Sequence, residues 1–120
     1  TEFVFFNTSG QEKRVEATKG DLVYLPDDIV YSSSWIDVNE MDYISIEFQL
    51  KDKDDKALLL DDEIFIIATD KYGVINNSFE KFYSIYTSGG AGYKIKLRAI
   101  FFDILSNILS IYLKRLIKYL

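Results

Sequence analysis

At Asn77 the hydrophobic period of this 120-residue chain changes, and that change constrains its fold more than any other feature. Before it, apolar residues come in short runs or alternate, the period-two pattern of strands; after it they recur at three and four residues, the pattern of helix. A chain divided this way, with length for one domain, is predicted to build a sheet first and helices last.

The strand half is punctuated by turns. Phe3-Val4-Phe5-Phe6 closes at Asn7-Thr8-Ser9-Gly10, and Lys13 to Thr18 then alternates up to Lys19-Gly20-Asp21, which predicts a hairpin. Leu22 to Leu25 is β-rich and stops at Pro26-Asp27-Asp28, where proline removes a ladder donor and the aspartates favour a turn. Ile29 to Ile36 resumes as a strand, and Ile64 to Thr69 forms another. The cleanest alternation is Tyr43 to Leu50: Tyr43, Ser45, Glu47 and Gln49 fall on one face, and Ile44, Ile46, Phe48 and Leu50 on the other. Between these segments the run Lys51 to Lys56 reads as a solvated loop, because Lys56 and Ala57 stand where a calcium loop needs a ligand and a glycine.

Asn77 and Glu80 have capping-box spacing, and Phe79, Phe82, Tyr83 and Tyr86 then share one helical face. The glycines Gly89, Gly90 and Gly92 break this short helix. They lack the lysine and hydroxyl residue of a phosphate-binding loop and follow a helix, so a hinge is the expected role. Tyr93 to Leu120 contains no glycine or proline and predicts one long helix. Its polar stripe of Asp103, Asn107, Ser110, Lys114 and Lys118 is narrow. One side carries Leu97, Phe101, Ile104 and Ile108; another carries Phe102, Leu105, Leu109, Tyr112 and Leu116. A small barrel covers one such side, so the second set is expected to form a twofold dimer interface.

Charge and absences prune the chemistry. The chain carries a net −5, with −10 in residues 1–92 and +5 in residues 93–120, so a nucleic-acid backbone is not an expected direct partner. There is no cysteine and no histidine. That removes disulfides, thiolate and imidazole nucleophile systems, and the usual ligands of transition metals, leaving carboxylates, lysine and tyrosine for any catalysis. No metal or other cofactor is therefore expected. The adjacent aspartates at 27–28 and the acidic run 61–63 read as solvated loop charges. The first ten residues have no secretion-signal pattern, and no stretch of about 18 uncharged apolar residues spans a bilayer. The start without Met, directly in a strand-like run, is expected of a segment of a longer polypeptide.

The segment KGDLVYLPDDIVYSSSW, from Lys19 to Trp35, resembles the second sequence motif of the cupin superfamily. Gly20 and Pro26 keep its spacing; Asp28 replaces its second glycine, Tyr31 its histidine, and Trp35 its later asparagine. The departures fall on the metal-binding part. With DYISIEFQL, then NNSFEKFYSIYTSGG and a long amphipathic helix, residues 13–120 resemble the N-terminal effector-binding domain of AraC-type bacterial transcription regulators. The resemblance implies a mainly β fold, a cupin-like jelly-roll barrel, followed by a short and a long helix packed on it. Residues 1–75 would form the barrel and residues 76–120 the helical dimerisation segment. It further implies a cytoplasmic homodimer that meets DNA only through a helix-turn-helix domain not contained in this chain.

In such a barrel the polar strand faces point inward. The expected ligand-binding residues are Tyr24, Tyr31, Ser33, Trp35, Tyr43, Ser45 and Glu47, with antiparallel pairing placing Tyr31, Ser33 and Trp35 beside Tyr43 and Ser45. Hydroxyls, a carboxylate and an indole suit a small polar effector such as a sugar. Two alternatives stand beside this reading: a metal-free cupin isomerase or lyase using Glu47 and Tyr31 as acid and base, and a purely structural dimerisation module.

Overall fold

The computed structural model describes residues 1–34, 43–57 and 61–117, with side chains in the last helix described as far as Lys114. Among the described residues five strands precede two helices: β1 (Glu2–Phe6), β2 (Glu12–Glu16), β3 (Asp21–Tyr24), β4 (Tyr31–Ser34), β5 (Phe65–Thr69), α1 (Val74–Ser88) and α2 (Tyr93–Ile117). The strands make two small sheets, one ordered β2-β1-β4 and one of β3 with β5, and no closed barrel is present among the described residues. By contacts the chain divides into residues 1–66 and 67–120, so the second half of β5 belongs with the helices.

In the first unit the expected hairpin forms because its turn is chemically specified. The Asn7 side-chain oxygen accepts the backbone N–H groups of Ser9 and Gln11, at 3.0 and 2.9 Å, and Gly10 takes φ +78°, which a side chain would strain. The resulting register pairs Phe3 with Val15 and Phe5 with Lys13; across the other edge of β1, Phe3 meets Ser33 and Phe5 meets Tyr31, all antiparallel. Phe3, Phe5, Val15, Tyr31 and Ser33 therefore share one face. The opposite face carries Glu2, Glu12 and Arg14, whose guanidinium pairs with both carboxylates at 3.0 and 3.8 Å. Alternation is visible in burial: Phe5 is 2% exposed and Phe6, one residue on, 64%. At the next turn the Asp21 carboxylate accepts the N–H and hydroxyl of Thr18, while Gly20 takes φ +89°. The motif glycine is thus the residue that lets β3 begin.

Residues 43–50 are a correction to the sequence reading. They form no strand; Tyr43 is 78% exposed, and Ile44 and Phe48 more than a third exposed. Alternation states which face of a strand would be buried, but a strand also needs a partner, and none of the described strands pairs with residues 43–50, the outer edge of β4 included. The mixed-charge run that follows is a closed turn. The Asp52 carboxylate accepts the N–H groups of Asp54 and Lys56, and Lys51 bridges Ala57.

In the second unit α1 starts four residues earlier than the capping-box spacing predicts, with Gly73 and not Asn77 at its N-cap. Asn77 lies inside the helix with its N–H bonded to the Gly73 carbonyl, and the free N–H groups of Ile75 and Asn76 are accepted by the Asp70 carboxylate, at 3.3 and 2.8 Å. The half-buried apolar residues of α1 are Ile75, Phe79, Phe82 and Ile85, whereas Tyr83 and Tyr86, expected on the same face, are 58% and 65% exposed. Gly89, Gly90 and Gly92 all have positive φ, and α1 and α2 pack on each other across this hinge. On α2, Ile104 and Leu105 are buried and Leu97, Phe101 and Ile108 are half-buried.

Candidate functional site

The face of β1 that buries Phe5 also carries two of the expected ligand-binding residues. Tyr31 opposes Phe5 and Ser33 opposes Phe3, and the two aromatic rings of Phe3 and Tyr31 meet edge to face with centroids 5.8 Å apart. Tyr31 remains 41% exposed and Ser33 is exposed, so the patch combines an accessible phenol, a hydroxyl and a phenyl ring. Aromatic C–H surface flanked by hydroxyls is chemistry suited to the mixed apolar and polar faces of a small polyol.

The other expected site residues are distributed differently. Tyr24 is 8% exposed and packs on Phe65 with centroids 5.5 Å apart, a core position. Trp35 lies outside the described residues. Tyr43, Ser45 and Glu47 occupy the irregular segment, all exposed, and the strand pairing expected to place Tyr31 and Ser33 beside Tyr43 and Ser45 is not formed. The same finding removes the strand that would have carried Glu47 beside Tyr31. Phe3 is the residue that sequence reasoning missed. Its signal was available: at an odd position of a short apolar run it had to share a face with Phe5, but only the β1–β4 register puts Tyr31 and Ser33 on that face.

On the acidic side, Asp61 accepts the N–H groups of Asp62 and Glu63, and Asp27 that of Asp28. Among the described residues no cluster of three potential ligands is arranged to hold a metal ion.

The expected dimer residues lie on α2. Phe102 and Leu109 are 61% and 36% exposed, Leu105 is buried within the chain, and Tyr112 is half-buried. The side chain of Leu116 is outside the described set. Two further apolar residues, Ile95 at 75% and Leu113 at 54%, extend the exposed line. Ile95, Phe102 and Leu109 follow one another at intervals of seven. No described helix is long and apolar enough to cross a membrane.

No family profile, curated protein or solved structure matches this chain.

Proposed function

We propose that this chain is the small-molecule sensing and dimerisation domain of an AraC-type transcription regulator, built on a cupin-like fold, acting without catalysis and cytoplasmic. The observation that carries this reading is the line Ile95, Phe102, Leu109 and Leu113, which leaves a helix that follows the β unit with apolar residues on its outward side. A heptad-spaced apolar line is the seam by which one helix packs against its own copy. The motif glycine adds support, because Gly20 occupies the turn that opens β3 and Pro26 follows that strand's end.

The effector is proposed to be a sugar or similar small polar molecule held on the Phe3, Tyr31 and Ser33 face, with Trp35 adjoining it in sequence. Ligand capture would favour one packing of the helical segment and so change how a DNA-binding domain outside this chain is presented. A thermal-shift screen against monosaccharides and against zinc, iron and manganese tests the reading. A ligand at a hundred times its Kd adds about 2.7 kcal/mol, and each kcal/mol moves the midpoint by about 4–8 °C for a domain near this size. A sugar that stabilises the wild type and not Tyr31→Ala supports the proposal; stabilisation by metal alone, with no sugar effect, overturns it.

A further inference from the structure

The first unit contains an open groove of about 340 Å³ that shares no residue with the expected ligand-binding set. It is lined by the end of β1 and its turn (Phe6, Asn7, Thr8), by the loop after β3 (Pro26 to Val30), and by Asp62. Its accessible apolar part is Phe6, 64% exposed, and Val30, 86% exposed; Ile29 is half-buried and Pro26 buried. Three carboxylates, Asp27, Asp28 and Asp62, share the lining, and none of the nine residues is a cation. None of the three carboxylates has a salt-bridge partner among the described residues. Residues 1–66 carry sixteen carboxylates against six cations, so the field at the groove is set by a unit of net charge −10.

We propose that this groove binds a small organic cation, a primary alkylammonium whose hydrocarbon stem lies against Phe6 and Val30 while its ammonium faces Asp28 and Asp62. The volume falls at the lower end of the roughly 300–1,000 Å³ of small-molecule sites. An inorganic cation satisfies only half of the lining: it gains nothing from the exposed phenyl and isopropyl groups, and among the described residues no three-ligand cluster is arranged to coordinate it. A neutral apolar molecule uses the other half and leaves three carboxylates beside it without a counter-charge. An alkylammonium uses both. The site is independent of the sugar face and of the dimer seam, so its failure and theirs are separate outcomes.

The test is a titration of the ¹⁵N-labelled chain with hexylammonium, hexanol and hexanoate, followed by amide chemical shifts. Hexylammonium is expected to shift Thr8, Asp28 and Val30 in a saturable way, hexanol more weakly, and hexanoate not at all. Asp28→Asn with Asp62→Asn is expected to weaken hexylammonium binding by about fivefold, the scale of two partly exposed charge pairs, and to leave hexanol unchanged. Asparagine tolerates the φ of +61° at position 28, and unchanged shifts for β2 and α1 confirm that the double variant folds. Equal binding of all three probes, perturbation confined to residues outside the groove, or undiminished hexylammonium affinity in the double variant each overturns the proposal.

Discussion

Replacing Phe5 and Phe6 separately with alanine measures whether β1 has the face assignment described here. Phe5 is 2% exposed in the central strand of the three-stranded sheet, so nearly the whole side chain is removed from water on folding. Truncating such a phenylalanine costs about 3–5 kcal/mol, from lost transfer energy and from the cavity left behind. Phe6 is 64% exposed, which leaves about a third of its surface buried, and the same change there costs about 1 kcal/mol. Two adjacent, identical substitutions are thus expected to differ by some 2–4 kcal/mol. For a protein whose total stability is about 5–15 kcal/mol, the first removes a large fraction and the second a small one. Urea denaturation followed by circular dichroism reads both, with slopes of about 1–3 kcal/mol per molar converting midpoints to free energies. Equal costs, or a larger cost at Phe6, would refute the register, because a slip of one residue exchanges the two faces of the strand.

Asp70→Ala is expected to cost about 1 kcal/mol by removing the acceptor for the Ile75 and Asn76 N–H groups, whereas Asn77→Ala stays within about 0.5 kcal/mol; the reverse order in thermal denaturation restores the capping-box assignment. Light scattering at micromolar concentration is expected to find a dimer that Phe102→Asp with Leu109→Asp converts to a folded monomer. A wild-type chain already monomeric there contradicts the use of the α2 seam.

The parts of the fold legible from sequence are those fixed by local chemistry. Asn7 and Gly10 specify their own turn, Gly20 permits the bend into β3, and the glycines at 89, 90 and 92 end one helix before the next. What was not legible depends on distant partners. Tyr43 to Leu50 alternates as well as any strand, but alternation cannot state which edge is free to receive it. The start of α1 was misplaced because its cap is Asp70, reaching forward past a left-handed Gly73, and not the Asn77 side chain that spacing favours. Independently of where the helix begins, its packing on α2 leaves Tyr83 and Tyr86 exposed and Ile75 and Ile85 half-buried, a choice of face that spacing alone does not make. The candidate site followed the same rule. Tyr31 and Ser33 were identified from their strand, and Phe3, their cross-strand neighbour, needed the register to be found.

The sensing claim is tested most directly by calorimetric titration of the best-stabilising sugar into the wild-type chain and into Phe3→Ala, Tyr31→Ala and Tyr43→Ala variants. One site per chain is expected, with affinity reduced at least about tenfold by truncating Tyr31 or Phe3, where a desolvated aromatic contact is worth about 1.4 kcal/mol or more, and little change at Tyr43, which is 78% exposed outside the sheet. Binding lost at Tyr43 and retained at Tyr31 and Phe3 would contradict it, as would the absence of heat from every sugar tested.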